Sequence, residues 1–126
     1  MTVASGAALQ LQGGISTTAA VGLTLNGTGT ATNGALENVS GSNTYSGLIA
    51  LGTNSTIGSD AGTLILSNTG TITGSGNNLT LTGSGNGTLA SIIGTGAAAV
   101  TKSGSGTWTL TGANSYTGVT NVNAAP

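Results

Sequence analysis

Residues 100–123 read VTKSGSGTWTLTGANSYTGVTNVN, and this stretch contains the pattern that recurs along the whole chain. Between 108 and 111, the apolar Trp108 and Leu110 alternate with threonines, which is typical of a short β-strand with one buried face. Gly112 follows at once and can adopt the positive φ of a tight turn. The same alternation, followed within two residues by Gly or Asn, occurs at 9–12, 23–26, 64–67 and 79–82. We therefore expect short strands that are separated by glycine-rich corners.

The spacing of the apolar residues suggests how these strands are arranged. Apolar positions recur about every seven residues from Leu9 to Val122. A heptad coiled coil has the same period, but it requires helix-forming residues and charged flanking positions. This chain instead contains 24 glycines and only three charged residues, and each glycine costs a helix about 1 kcal/mol. Seven residues suit one strand plus one corner, and three such sides predict a solenoid coil of about 21 residues.

The composition excludes most kinds of catalytic and binding chemistry. The 126 residues include no Cys and no His, so a thiol nucleophile, a histidine base and a Cys/His zinc site are all absent. A single basic residue cannot provide the footprint that nucleic acid requires. Glu37 and Asp60 lie about one coil apart in the sequence and could stack as a carboxylate pair. Two acids in a polar repeat protein are usually solvated, so we expect no glycosidase-type pair, no enzyme activity, no metal and no cofactor.

A longer repeat supports the coil arrangement. Residues 40–47, SGSNTYSG, recur as residues 111–118, TGANSYTG. Each copy contains an Asn-x-Tyr-x-Gly motif, and both tyrosines of the chain, Tyr45 and Tyr116, occupy the same place in it. We interpret the offset between the two copies as three coils of about 23 to 24 residues each.

Residues 100–123 resemble the autotransporter-associated β-strand repeat, which is also called the passenger-associated transport repeat. The consensus of that family runs roughly L-x-K-x-G-x-G-T-L-x-L-x-G-x-N-T-Y-x-G-x-T-x-V. Trp108 and Ser115 depart from it, since Leu and Thr are usual at these positions. Residues 40–51 resemble the consensus more weakly. The positions that match are Val100, Lys102, Gly104, Gly106, Thr107, Leu110, Gly112, Asn114, Tyr116, Gly118, Thr120 and Val122.

The resemblance implies a right-handed parallel β-helix in a surface-exposed bacterial passenger, whose repeats are associated with secretion across the outer membrane. Together with the strand pattern, it leads us to predict an all-β fold. We expect one domain over residues 1–126, a single right-handed parallel β-helix or β-solenoid of about five to six coils. A β-sandwich would also use short strands between glycines, but the two motif copies favour coils.

The candidate site residues are structural positions of the repeat rather than catalytic ones. We expect Asn43 and Asn114 to form side-chain ladders at corners, and the two tyrosines to pack in the core or at a corner. Trp108 is in phase with Leu110, so it should point inward or cover an end of the solenoid. The full set is Asn43, Tyr45, Gly47, Gly104, Gly106, Trp108, Leu110, Gly112, Asn114, Tyr116 and Gly118.

These expectations favour one function over two others. The first is a non-enzymatic structural segment of a bacterial extracellular or cell-surface β-helical protein, such as the stalk or secretion-assisting repeat of a passenger. The alternative is a binding module, either an adhesin face or a Thr-rich ice-binding face built from Thr-x-Thr pairs. Such pairs occur at 71–73, 80–82, 107–109 and 109–111. Only those that begin at Thr80 and Thr107 lie near one coil apart. A hydrolase on the same scaffold is the poorest choice, because His and Arg are missing.

The ends of the predicted solenoid suggest its partners. Neither end carries a charge-rich or proline-rich cap, so open strand edges are expected. These edges should stack on neighbouring coils of a longer chain or, end to end, on a second copy of the chain, which would form a fibre. No run of residues reaches the ~18 to 20 apolar residues of a membrane helix, and the N-terminus lacks the pattern of a signal peptide. We expect an extracellular or cell-surface location, with no nucleic-acid partner.

Overall fold

The structure, a computed structural model, describes residues 1–124, and most of its regular elements are short β-strands. In most of these strands buried and more exposed residues alternate, as the sequence pattern predicts. The strands are β1 (Thr2–Val3), β2 (Leu9–Gln12), β3 (Leu23–Gly27), β4 (Leu36–Ser40), β5 (Ser42–Tyr45), β6 (Ile49–Ser59), β7 (Thr63–Leu66), β8 (Thr71–Ile72), β9 (Leu79–Thr82), β10 (Asn86–Leu89), β11 (Ile92–Ile93), β12 (Val100–Lys102), β13 (Trp108–Leu110) and β14 (Thr120–Val122).

The strands form three sheets, which the chain visits in turn from β6 to β13. Sheet 1 has the order β1-β3-β6-β9-β12-β14, with β2 paired to β4 and β4 paired to β6. Sheet 2 has the order β13-β10-β7-β5, and sheet 3 pairs β11 with β8. Every strand pair among the described residues is parallel. The predicted β-solenoid is confirmed, with about six turns. The β-sandwich alternative is wrong, because a sandwich consists of antiparallel sheets.

The coil length differs between the two ends of the chain. In the C-terminal part, Leu79 pairs with Val100, and Val100 pairs with Thr120. Hydrogen bonds between these coils join residues that are 21 positions apart in one case and 20 in the other. Here the predicted coil length is confirmed. Near the N-terminus, by contrast, Gln10 pairs and bonds with Glu37, a separation of 27 positions. This coil is therefore longer than the sequence spacing suggests.

The extra length is a loop of residues 28–35 between β3 and β4. It includes a short 3-10 turn, Thr30–Thr32, in which Ala31 and Thr32 have φ values of 51° and 61°. The loop packs against sheet 1, where a side chain at Gly58 would overlap the carbonyl oxygen of Asn33. Because Gly58 alternates with the buried Ile57, the loop lies on the outer side of the sheet. The insertion thus leaves the interior columns of the solenoid unbroken.

The core consists of columns of apolar side chains, one from each coil. One column runs through Leu36, Ile57 and Leu81, all of them almost completely buried. Burying a side chain of this size stabilises a protein by about 1.5 to 3 kcal/mol. Since parallel strands are spaced about 4.8 Å apart, each coil covers the apolar side chains of the preceding one. No coil could bury its apolar face alone, and stability comes from the stack.

Candidate functional site

A column of glycines forms the corner between sheets 1 and 2. Gly41, Gly62, Gly83 and Gly104 follow one another at a constant one-coil spacing, with φ values of 80°, 72°, 109° and 81°. A Cβ at Gly104 would lie 2.5 Å from the carbonyl oxygen of Gly83. The corner therefore needs glycine twice over, for its positive φ and for the close approach of successive coils. This regular spacing is visible in the sequence, although Gly104 is the one member of the column among the predicted positions.

The other glycines of the candidate set let neighbouring coils approach closely. Each lies against a carbonyl oxygen of the preceding coil, so closely that a Cβ would overlap it. The contacts are Gly47 with Val21, Gly106 with Gly85, Gly112 with Ser91, and Gly118 with Ala98. These positions in the repeat fix the coil-to-coil distance rather than create a ligand site.

Trp108 points into the interior at the C-terminal end of the solenoid. It is paired with Gly87 on β10, where any side chain would overlap the indole ring. The indole N–H donates a hydrogen bond to the carbonyl oxygen of Thr82 at 3.3 Å. The next inward residue, Leu110, pairs with the buried Leu89. A glycine in one coil thus accommodates the largest side chain of the next.

Asn43 and Asn114 each bind the backbone of the preceding coil. Asn43 Oδ1 accepts the N–H of Ile15 at 2.7 Å, and Asn114 Oδ1 accepts the N–H of Ile93 at 2.8 Å. They do not form one ladder, however, because strand pairing places Leu64 beside Asn43. Each asparagine therefore joins one pair of neighbouring coils through its own hydrogen bond.

The two Asn-x-Tyr-x-Gly motifs lie on different sides of the solenoid. Tyr45 on sheet 2 is related by strand pairing to Leu66, then Leu89, then Leu110. Three coils thus lead from Tyr45 to Leu110, and Tyr116 lies beyond Leu110 in the chain, past the end of β13. Our interpretation of the offset between the two motifs as three coils is wrong. The inserted loop does not cause this difference, since it precedes both motifs.

The two tyrosines have different surroundings, although both pack against the core. Tyr45 is 3% exposed, and its hydroxyl donates to the carbonyl oxygen of Val21 at 2.7 Å. Burial raises the pKa of Tyr45. Tyr116 is partly buried, and its hydroxyl shares a hydrogen bond of 2.6 Å with Thr120 Oγ1. Each hydroxyl thus has a hydrogen-bond partner within the chain.

An asparagine ladder does exist, at positions other than the predicted Asn43 and Asn114. Asn54 Oδ1 accepts the backbone N–H of Asn78 at 2.8 Å, and Asn78 Oδ1 accepts the N–H of Ala99 at 2.9 Å. Each of these residues precedes a residue of the same sheet 1 column, Ser55, Leu79 and Val100. The ladder connects three coils. Its signal in the sequence is an Asn immediately before an inward-facing residue, at one-coil spacing.

Three polar side chains meet on the outer side of sheet 1. Gln10 pairs with Glu37 along the strands and donates from Nε2 to Glu37 Oε2 at 2.7 Å. The Asp60 carboxyl group, one coil further, forms a hydrogen bond with Glu37. Glu37 is only 3% exposed, so the expectation that both acids are solvated is wrong. Burial, followed by the hydrogen bond and the negative charge of Glu37, raises the pKa of Asp60 to about 6.

This geometry allows a protonated Asp60 to donate a hydrogen bond to Glu37. It differs from that of a glycosidase, whose carboxyl groups are about 5 Å apart when the enzyme retains configuration and further apart when it inverts. Carboxyl groups in direct hydrogen-bond contact leave no room for a sugar or a water between them. Within residues 1–124, no three acidic side chains come close enough to hold a metal ion.

An apolar cavity of about 280 Å³ opens at the C-terminal end of the solenoid. Its wall includes Trp108, Leu110 and Val122, and Val122 is 67% exposed. Lys102 also lines it, and its ammonium group donates to the carbonyl oxygens of Gly104 and Ala124, both at 2.7 Å. The cavity is the part of the core that a further coil would cover.

The coil that contains these residues is the one recognised by comparison with known families. A family model described as the passenger-associated-transport-repeat matches residues 100–125. These residues are similar to a passenger-associated transport repeat. The match coincides with the resemblance at 100–123 and, together with the solenoid fold, confirms it. The matched stretch includes β12, β13 and β14.

Beyond the passenger-associated transport repeat, no curated protein and no solved structure matches the chain. In the part of the chain that the structure describes, no helix is long and apolar enough to cross a membrane.

Proposed function

We propose that this chain is a non-enzymatic structural segment of a bacterial extracellular or cell-surface passenger, in which it extends a β-helical stalk. The observation that carries the proposal is the repeat at 100–125 on a solenoid of parallel coils. The described contacts of its glycines, of Asn43 and Asn114, and of Tyr45 join neighbouring coils. The acidic pair has no room for a substrate between its carboxyl groups, which supports a role without catalysis.

The stacking also suggests how such a stalk assists secretion. Each coil presents a free parallel edge and an apolar column to the coil that follows it. A chain that emerges progressively can therefore fold one coil at a time on the coils already formed. Local folding of this kind draws the chain outward, because each new coil is stable only on a completed neighbour.

We further propose that a free edge of the solenoid binds a second copy of the chain. Strand β14 ends sheet 1, strand β13 ends sheet 2, and β1 lies at the opposite end of sheet 1. Because all strands are parallel, β14 of one copy and β1 of the next run in the same direction when the copies stack head to tail. The formal net charge of −1 gives little repulsion between copies.

The binding-module alternative receives less support from the arrangement of threonines. An ice-binding face requires Thr-x-Thr pairs in register on one flat side. Thr80 and Thr82 lie in sheet 1, Thr109 lies in sheet 2, and Thr71 lies in sheet 3. Pairs on three different sheets cannot form one array. An adhesin face has no specific observation in its favour.

The proposed role can be tested by replacing the β-helix of an autotransporter passenger with residues 1–126. We expect the chain to reach the cell surface, as measured by antibody binding to intact cells. The Gly104→Val substitution, which blocks a corner, should reduce the displayed amount several-fold at equal synthesis. The Thr109→Val substitution on the exposed side of β13 is the control and should have little effect. Equal display of both variants, or hydrolysis of a polysaccharide lost in Glu37→Gln, would contradict the proposal.

A further inference from the structure

The contacts of Gln10, Glu37 and Asp60 each cross a boundary between coils. Gln10 lies on β2, Glu37 on β4, and Asp60 directly after β6, and these three strands are consecutive neighbours in sheet 1. We propose that the three side chains form a pH-sensitive latch. The latch holds the first coils of the solenoid together in acid and loosens them as the pH rises towards neutrality.

The latch depends on one proton. An ionised carboxylate only accepts hydrogen bonds, so two carboxyl groups can bond each other only while one of them is protonated. Glu37 Oε2 already accepts a hydrogen bond from the amide of Gln10, so the carboxyl group of Glu37 serves as the acceptor in the cluster. Protonated Asp60 is then the donor. When that proton leaves, two negative charges face each other, and one of them is almost excluded from water.

The elements packed against the pair carry no positively charged side chain. The neighbouring strand β2 contributes the neutral Gln10, and on β9 the residue paired with Gly58 is the neutral Thr82. The loop of residues 28–35, which packs against Gly58, contains no ionisable side chain. Lys102, the one basic side chain of the sequence, donates its hydrogen bonds to Gly104 and Ala124 at the C-terminal end.

The remaining ionisable side chains lie outside this cluster. Tyr45 faces the interior and bonds the carbonyl oxygen of Val21, and its pKa is raised further above its usual alkaline value. Tyr116 bonds Thr120 near the C-terminal end. The sequence contains no His and no other Asp or Glu. Among the side chains, a transition between about pH 4 and pH 7 can therefore come only from the acidic pair.

The direction of the effect follows from proton binding. The pKa of Asp60 is about 6 in the folded chain, against 3.8 for an ordinary aspartate. Between these values the folded state binds more protons than the unfolded state, so stability falls as the pH rises. The contribution of the latch is complete below about pH 4 and is lost as the pH rises through about 6. This is the reverse of ordinary acid denaturation.

Hydrogen exchange at pH 5 and pH 7 tests the latch, after correction for the intrinsic pH dependence of exchange. We expect the backbone amides of β2 and β4 to lose several-fold in protection at pH 7. A pKa of about 6 against 3.8 limits the change between pH 5 and pH 7 to about tenfold, and the partial exposure of Asp60 to water reduces it further. Strands β10 and β13, which are remote from the latch, serve as internal controls and should change little.

Two variants make the test specific. In Asp60→Asn, the introduced amide can donate to Glu37 at any pH, so protection of β2 and β4 should no longer depend on pH. Glu37→Gln removes the negative charge that raises the pKa of Asp60 and should also flatten the profile. Protection that falls equally in all coils, or a wild-type profile in Asp60→Asn, would overturn the proposal. If both variants fail to fold, the wild-type thermal midpoint decides: it should be higher at pH 5 than at pH 7, and a flat or opposite dependence refutes the latch.

Discussion

The indole ring of Trp108 occupies the space that a side chain at position 87 would fill. The two residues are direct partners on neighbouring strands of sheet 2, and only the absence of a Cβ on Gly87 lets the ring lie there. The pair shows how the solenoid combines a regular backbone with irregular side chains. Because paired positions in successive coils stack on one another, a large residue in one coil requires a small one in the next.

This relationship predicts a specific pattern of stability in a double-mutant cycle. Gly87→Ala should lower the free energy of unfolding by about 1 to 3 kcal/mol, because the added methyl group overlaps the ring. Trp108→Leu, which introduces the residue usual in the repeat, should make room for that methyl group. The double variant should then recover at least about 1 kcal/mol relative to the sum of the single effects. Urea denaturation measures all three variants, and strict additivity would contradict the close packing of this pair.

The column of glycines at the corner predicts that the stability cost of replacing a glycine depends on its contacts with the preceding coil as well as on its φ. Gly62 and Gly76 have similar φ values of 72° and 83°, but only Gly62 lies against the preceding coil, at Gly41. Gly76→Ala should cost about 1 to 2 kcal/mol, from the backbone conformation alone. Gly62→Ala should cost about 1 to 3 kcal/mol more, because the corner must also open. Thermal or urea unfolding compares them, and equal losses would show that the coils do not approach closely at this corner.

The asparagine ladder predicts a smaller effect. Asn78→Ala removes the acceptor of the Ala99 N–H, and we expect a loss of about 0.5 to 1.5 kcal/mol, since water can partly replace an exposed hydrogen bond. Hydrogen exchange should report faster exchange of the Ala99 amide in particular. Asn33→Ala is the control, because the exposed Asn33 side chain makes no hydrogen bond within residues 1–124. The ladder is disproved if both variants leave that amide equally protected.

The proposed head-to-tail stacking predicts an association that depends on concentration. Light scattering of the wild-type chain should give an average mass that rises with concentration. Val122→Lys places a charge on the exposed apolar side of β14 and should reduce this rise. Thr88→Lys, on the outer side of a strand inside sheet 2, is the control and should associate as the wild type does. A monomer at all concentrations would exclude stacking through this edge.

Much of the fold could be predicted from the sequence, because stacking is a local and repetitive interaction. Alternation at 79–82 and glycine at 83 define a strand and a corner by their chemistry alone, and the length of the C-terminal coils follows from the spacing of such units. The position of the second tyrosine motif could not be predicted in this way. Residues 111–118 repeat the pattern of residues 40–47, but a sequence pattern does not indicate on which side of the coil it lies. That side depends on the length of every intervening corner.

The sequence indicated that the two acidic residues lie near each other, but the burial of Glu37 was not predicted. Their separation in the sequence placed Glu37 and Asp60 about one coil apart, and the structure brings them into contact. Their average behaviour on protein surfaces favours solvation, but Glu37 pairs with Gln10 and Gly58 on two neighbouring strands and is only 3% exposed. The loop of residues 28–35 packs against Gly58 on the same outer side of sheet 1. These neighbours are distant in the sequence, so the burial of Glu37 is a tertiary effect without a local signal.

That loop has a consequence for how such chains can vary. It adds residues to one coil, while the pairing of Leu9 with Leu36 and of Leu36 with Ile57 continues on either side. Ala31 and Thr32 at its tip are exposed. An epitope or a small folded module inserted between them would project outward from sheet 1. The scaffold can thus gain new appendages through insertion while its interior sequence stays as it is.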